Sequence, residues 1–189
     1  MSGKDAMAWA AAWAHLCTAS AARPIYAVLD TAREPGILPL LHDRAVAYRS
    51  LFEPAAARDF AGLDPCLAPV DARATGLAKI LELGWGRAWA VFVEAPLDGD
   101  SMRSALRERL WVEVPGEPAP LYFRFYDPRV LRRFLATLGT DDVARFFGPI
   151  AAFWLESADG GALLRAAPKA GGGLWVEAAG QPGVEAALV

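Results

Sequence analysis

Two aspartates stand where a carboxylate could take part in catalysis. Asp30 directly follows the apolar run at residues 25–29, and in open α/β sheets catalytic carboxylates often lie at the C-terminal end of such a strand. With His42 and Ser50 it would supply the acid, base and nucleophile of a hydrolase. The spacing does not require these three residues to meet, so a small α/β hydrolase-like enzyme that uses Asp30 or Asp127 is the alternative hypothesis. As a turn former or the partner of an arginine, Asp30 is structural.

The sequence lacks the other motifs that carry catalysis or hold a cofactor. It contains no GxSxG nucleophile elbow and neither of the glycine-rich phosphate loops, GxGxxG and GxxxxGK[ST]. His15 and His42 are isolated, so no zinc-ligand spacing is present. Cys17 and Cys66 have no CxxC partner, which is typical of buried, reduced thiols, although a disulfide stays open. We therefore expect no catalytic residue, no cofactor and no metal, in a protein that is not an enzyme.

The residues around Asp127 favour a structural role for it. Side chains alternate along residues 121–126, which predicts a strand with Arg124 and Tyr126 on one face. Asp127 then stands at a helix N-cap and Pro128 at the first helical position, which suits its fixed φ and missing N–H. The helix macrodipole keeps a carboxylate ionised there, which makes Asp127 a poor proton shuttle. Arg124 would bridge to Asp127 or to a neighbour, so we interpret all four residues as scaffold.

Elements of both kinds alternate along the chain. Helical spacing occurs at residues 6–18, 37–47, 75–83, 101–109, 128–138 and 140–147. Strand patterns occur at residues 25–29, 48–52, 67–70, 87–94, 110–114 and 121–126, and a loop with a helical turn is predicted at residues 54–63. Residues 87–94 are apolar on both faces, as in a central strand covered by helices. We expect an α/β layered domain with a mixed, partly antiparallel sheet flanked by helices.

The last forty residues have a different pattern. Three apolar pieces at residues 151–156, 162–166 and 173–178 are separated by Gly-rich turns, which predicts a small C-terminal β-rich lobe or meander with an irregular tail. Gly148 and Pro149 form the stop before it. The predicted organisation is an α/β domain at residues 1–149 and the small lobe at residues 150–189.

Composition narrows the function classes. The chain has 189 residues, of which 54% are hydrophobic and 22% charged, and its net charge is −3. Nucleic-acid-binding domains usually carry a basic excess, so we expect no nucleic-acid partner. Residues 1–20 do not have the basic start and apolar run of a secretory signal. No apolar run reaches the ~20 residues that span a bilayer. We expect a cytoplasmic protein without a membrane partner.

Two sets of residues are candidates for partner binding. Arg129, Arg132 and Arg133 form a local basic cluster on one predicted helix, which could meet an acidic partner. Trp9 and Trp13 lie one helical turn apart and could anchor a partner helix. The alternatives are a solvated helix face for the arginines and packing on the protein's own sheet for the tryptophans.

An ordered set of motifs resembles the adaptor, or chaperone, family of bacterial type VI secretion, whose domain was long catalogued as one of unknown function. The resemblance covers residues 25–155 and is carried by the runs YAVLDTA at residues 26–32, YRSLF at 48–52, DPCLAPV at 64–70, WG at 85–86, RFYDP at 124–128 and FGP at 147–149. In the third run, Asp64 and Cys66 depart from the family's usual wording. The Arg-x-Tyr-Asp-Pro run is a hallmark of that family.

The resemblance implies a function without catalysis. It implies an adaptor that binds a toxic effector protein and loads it onto the VgrG spike or a spike-capping protein. A stand-alone structural or immunity-type partner of similar fold is a further alternative.

Overall fold

The computed structural model describes residues 3–53, 62–113 and 116–188. Within these ranges the α-helices are α1 (Gly3–Ala22), α2 (Ile37–Asp43), α3 (Thr75–Gly84), α4 (Gly99–Arg107), α5 (Pro128–Leu135) and α6 (Thr140–Phe147). The strands are β1 (Ile25–Leu29), β2 (Arg49–Ser50), β3 (Cys66–Val70), β4 (Ala90–Glu94), β5 (Trp111–Val112), β6 (Leu121–Tyr122), β7 (Ala152–Glu156), β8 (Leu163–Pro168) and β9 (Leu174–Ala178). Most of the predicted loop at residues 54–63 lies outside the described residues.

A seven-stranded sheet forms the middle of the molecule, in the order β2-β3-β1-β4-β7-β8-β9. β1 and β4 lie side by side near its centre, with Ala27 opposite Phe92. All five residues of β4 are buried, as the two-sided apolar pattern predicts. Each strand pair described in this sheet is antiparallel. The antiparallel part therefore extends further than the predicted mixed sheet, because β3 and β4, joined through α3, both pair with β1 rather than with each other.

Helices cover both faces of the sheet, which confirms the layered α/β prediction. One face packs against α1, α2 and α3, through residues such as Leu16, Leu41 and Ile80. The other packs against α4, α5 and α6, through residues such as Leu106, Leu131 and Phe147. Strand side chains alternate between the two layers, so neighbouring residues of β1 and β4 enter different cores.

The predicted meander is present as β7, β8 and β9, and it continues the main sheet. β7 pairs with β4, and Phe92 lies opposite Trp154. β8 pairs with β7 and β9 in turn. The division near residue 149 stays a prediction about domain organisation, but the strands after it share backbone hydrogen bonds with the strands before it.

Three predicted elements end at least three residues earlier than their patterns indicated. The strand expected at residues 121–126 ends at Tyr122, since Phe125 N donates to Phe123 O at 3.0 Å and the chain turns there. The helix expected at residues 37–47 ends at Asp43, just before Ala45 takes a φ of 49°. The helix expected at residues 128–138 ends at Leu135. In each case the local side-chain periodicity continues past the residue at which the element ends, so periodicity alone could not predict that residue.

Candidate functional site

Asp30 lies at the buried end of β1 and is held by the chain itself. Its side chain has no exposed surface. Oδ1 accepts from Arg33 N at 3.1 Å, and Oδ2 accepts from Arg124 Nη2 at 2.5 Å. Burial raises the pKa of Asp30 above its ordinary value, although the hydrogen bond from Arg124 opposes that rise. The carboxylate therefore ties β1 to the segment of residues 124–128, which we call the corner.

Asp127 is the N-cap of α5, and Pro128 is the first residue of that helix. The Asp127 carboxylate accepts from Arg129 N at 2.9 Å and from Arg129 Nη2 at 2.5 Å. Burial would raise the pKa of Asp127, but the hydrogen bonds from Arg129 outweigh it and hold the pKa below its ordinary value. Asp127 is thus an ionised cap whose oxygens are already engaged.

Tyr126 of the corner contacts a second tyrosine, Tyr122 of β6. Tyr126 is buried, and its hydroxyl lies 3.0 Å from the Tyr122 hydroxyl. The Arg124 guanidinium lies over the Tyr126 ring, 5.9 Å from its centroid. Burial raises the pKa of Tyr126 well above its ordinary value, so this hydroxyl is neutral. The Arg124 guanidinium therefore contacts the buried Asp30 carboxylate and the face of the Tyr126 ring.

Gly148 and Pro149 follow α6, and Arg109 donates hydrogen bonds to the last carbonyls of that helix. Arg109 Nε donates to Phe146 O at 2.8 Å, and Nη2 donates to Phe147 O at 2.9 Å. A cation at a helix C-terminus satisfies carbonyls that have no partner within the helix. Gly148 has a φ of 50°, and a Cβ there would lie 2.9 Å from Arg109 Nη2. Glycine at this position gives the guanidinium its room.

An open groove of about 760 Å³ lies beside the corner. Its apolar lining includes Leu51, Phe52, Leu63, Leu110, Trp111 and Tyr122. The rings of Trp111 and Tyr122 meet edge to face with centroids 5.2 Å apart. Arg124 and Tyr126 of the corner reach the same groove from the protein side. The corner thus forms part of the groove wall.

The groove is an exposed apolar surface. Trp111 is 58% exposed, Leu63 50% and Tyr122 37%. Contiguous exposed apolar residues of this size usually mark a site that another molecule covers. Charged side chains lie at the rim, where Arg107 forms an ion pair with Glu53. Chemically, the groove offers apolar contact with a few polar groups at its edge.

The residues that the sequence proposed for partner binding lie elsewhere and differ in exposure. Arg132 is only 7% exposed, and its Nη1 donates to Glu156 O at 2.6 Å. Arg129 and Arg133 are exposed on α5, although Arg129 is paired with Asp127. The buried position of Arg132 leaves two arginines, not three, at that surface.

Trp9 and Trp13 lie on α1, far along the chain from the groove. Trp9 is buried, with its ring centroid 5.6 Å from that of Trp85. Trp13 is half-buried and packs on the same core, 5.5 Å from Trp9. Trp9 therefore packs within the protein's own fold, which was the alternative that the sequence left open.

The groove aromatics were missed by the sequence reasoning. Trp111 and Tyr122 stand opposite each other in a two-stranded sheet, in strands of two residues each. The available signal was a pair of short strands around the PGEPAP turn that carry large aromatic residues. Such a hairpin is too short to bury its own side chains.

The three residues of the hydrolase hypothesis have different partners. The Asp30 carboxylate bonds Arg33 N and Arg124. His42 Nε2 lies 2.8 Å from the Tyr48 hydroxyl, and Ser50 Oγ accepts from Phe52 N at 3.0 Å. These contacts do not assemble a nucleophile with its base.

Cys17 and Cys66 are free thiols, so the disulfide that the sequence left open is not formed.

In residues 3–53, 62–113 and 116–188 no group of three or more His, Cys, Asp or Glu is placed to hold a metal ion. Over the same ranges, none of the helices has the length and apolarity needed to cross a membrane.

The fold and the groove define a helix-covered α/β domain with an exposed apolar surface beside a charged corner. A family model described as DUF4123, a domain of unknown function, matches residues 25–145. That span is more than half of the chain and runs from β1 into α6, so the protein belongs to the DUF4123 family. No curated protein and no solved structure matches it.

Proposed function

We propose that this protein is a non-catalytic adaptor of type VI secretion, which binds a toxic effector protein and loads it onto the VgrG spike or a spike-capping protein. Membership of the DUF4123 family and the resemblance of the RFYDP and FGP runs to the adaptor family support this proposal. In this role the protein acts in the cytoplasm, before the toxin is secreted.

One observation carries the proposal. The carboxylates of Asp30 and Asp127 are each bound by an arginine of the same chain, and the open surface beside them is apolar. A catalytic carboxylate must reach its substrate, whereas these two have their oxygens engaged in holding β1 and α5. An adaptor needs a rigid scaffold and an exposed contact surface, and both occur together here.

The mechanism is recognition without turnover. The toxin would bind one surface of the folded adaptor, and a second surface would meet the spike. Affinity in such an interface comes from a few buried apolar and aromatic side chains, with the surrounding contacts excluding water. No cofactor is required for this cycle.

Co-purification tests the proposal. The proposal expects a toxin and a VgrG protein to be encoded beside this gene. The tagged chain is expressed together with these two proteins, and the complexes are separated by size and weighed by native mass spectrometry. We expect a complex with the toxin and, when VgrG is present, a larger complex that contains it. A toxin and a VgrG protein from an unrelated secretion cluster are the matched control. Absence of both partners from the purified material, with the chain folded, would refute the proposal.

A further inference from the structure

The groove is a poor container for a small molecule. Its volume of about 760 Å³ falls within the range of ligand pockets, but such pockets bury most of their ligand. Here the walls are themselves open, since Trp111, Leu63 and Tyr122 are each more than one third exposed. A small molecule that fills this volume would therefore stay in contact with water along the open side of the groove. A protein segment would instead bury these side chains and its own apolar side chains in the same contact.

The edges of the main sheet favour contact through side chains over strand addition. At β2, Arg103 donates from Nε to Ser50 O at 2.5 Å and from Nη2 to Phe52 O at 2.6 Å. At β9, Ala186 N donates to Val176 O at 2.8 Å. An added strand would need the backbone groups that these contacts already use. A partner at the groove is therefore expected to bind through side chains and not as an added strand of the main sheet.

The exposed charge at the groove rim is acidic. The two arginines in the wall are turned to this chain's own carboxylates, Arg107 to Glu53 and Arg124 to the buried Asp30. The charge of Glu53 is thus met by Arg107, whereas Glu108 lies exposed at the rim and forms no ion pair among the described residues. Complementary charge on a partner would be Lys or Arg beside its apolar contact residues.

From these observations we infer that the groove binds an amphipathic helix of the toxin, with large apolar residues on one face and basic residues at its border. This inference rests on the proposed function, because it takes the toxin as the partner. An amphipathic helix presents residues at i, i+3, i+4 and i+7 to an apolar groove, which is a common mode of peptide recognition. Trp111 and Tyr122 are the expected anchors.

The central experiment measures the affinity of the purified chain for the purified toxin by titration calorimetry. Trp111→Ser and Leu63→Ser should each weaken binding by about tenfold or more, since each removes a large apolar contact. Val184→Ser is the matched control, because Val184 is 58% exposed, as is Trp111, but lies outside the groove lining. Equal affinity of both groove variants and the control would overturn the inference.

Thermal melting of each variant separates lost contact from lost folding. Trp111 packs on Tyr122, so its removal could loosen the hairpin, whereas Leu63 is no part of that ring pair. Weaker binding by Leu63→Ser with an unchanged melting temperature supports the groove even if Trp111→Ser is unstable. A Leu63→Ser variant that melts normally and binds like the wild type contradicts it.

Synthetic peptides test the two predicted properties of the toxin segment, its helical structure and its basic border. A synthetic peptide is made from the toxin segment that has apolar residues at helical spacing with flanking Lys or Arg, and a second version carries a proline in the middle. We expect the first to bind and gain helical circular dichroism, and the second to bind at least tenfold more weakly. Glu108→Lys should weaken binding of the first peptide by about threefold or more at low salt. Equal binding of both peptides, or tighter binding by Glu108→Lys, would contradict the predicted occupant.

The outcomes distinguish the two proposals. If the wild-type chain does not bind the toxin at all, the proposed function fails. If the toxin binds with the same affinity to the groove variants, the function stands and only the groove assignment fails.

Discussion

Arg124 and Asp30 are 94 positions apart in the sequence, yet Arg124 Nη2 donates to Asp30 Oδ2 at 2.5 Å. The carboxylate is buried at the end of β1, and the arginine belongs to the corner that leads into α5. A buried carboxylate requires hydrogen bonds to stay in place. This pair therefore connects the strand at the start of the DUF4123 match with the RFYDP run at residues 124–128.

Removing Arg124 should destabilise the protein. Arg124→Met leaves Asp30 buried without its charged donor, and we expect a loss of about 2 kcal/mol in the free energy of unfolding. Urea denaturation measures this loss. The control is Arg133→Met, an exposed arginine of α5, for which a change below about 0.5 kcal/mol is expected. Equal denaturation midpoints for the two variants would show that the pair does not hold the corner.

The Asp127 cap should make stability depend on acid pH. The pKa of Asp127 lies below its ordinary value in the folded protein, so its contribution is complete above the unfolded pKa of about 3.9 and is lost as pH falls through the folded pKa. Asp127→Asn keeps a capping oxygen but cannot titrate. The stability difference between wild type and variant, about 1 kcal/mol or less at neutral pH, should shrink towards pH 2. Urea midpoints at stepped pH check this, and a constant difference would contradict it.

Asp30 should show the opposite pH dependence. Burial raises its pKa in the folded protein, so its contribution is greatest below the unfolded pKa and declines as pH rises to the folded value. The difference between wild type and Asp30→Asn should therefore fall as pH rises through the acid range. The hydrolase hypothesis instead expects Asp30→Asn to abolish a turnover at unchanged stability. The same urea series decides between them, because an Asp30→Asn variant with wild-type stability at every pH would contradict the structural role.

Gly148 should not tolerate a side chain. Gly148→Ala places a Cβ against Arg109 Nη2 at a positive φ, and a loss of about 1–3 kcal/mol is expected. Gly99→Ala is the control, since a Cβ at Gly99 meets Tyr26 only at an ordinary 3.8 Å. That variant should match the wild type or exceed its melting temperature. Similar losses in both variants would point to a general intolerance of the substitution.

The two free thiols should differ in reactivity. Cys66 is buried, and burial raises its pKa far above the ordinary value, whereas Cys17 is only half-buried. Thiolates are the reactive form, so native alkylation with iodoacetamide at pH 8 should modify Cys17 well before Cys66. Intact-mass and peptide-mass spectrometry follow the order of modification. Faster labelling of Cys66 would mean that β3 opens readily in solution.

The predictable parts of this fold were those governed by neighbouring residues. The apolar run of β4 predicted a covered strand, and the Asp-Pro pair predicted the start of α5, because both signals act within a few residues. The predicted length of the strand at residues 121–126 was wrong. Its alternation continues to Tyr126, but the chain turns at Phe123 to let Arg124 reach Asp30. That contact is not visible in local spacing.

The sequence by itself determined the alternation of helices and strands, the corner and the absence of catalytic motifs, because propensity, capping and periodicity are local properties of the chain. Only the tertiary structure decided that Arg124 meets Asp30, that Arg132 is buried beside Glu156, and that Trp111 and Tyr122 line a groove. These facts depend on how distant segments pack around one sheet, since burial and pairing are set by the whole fold.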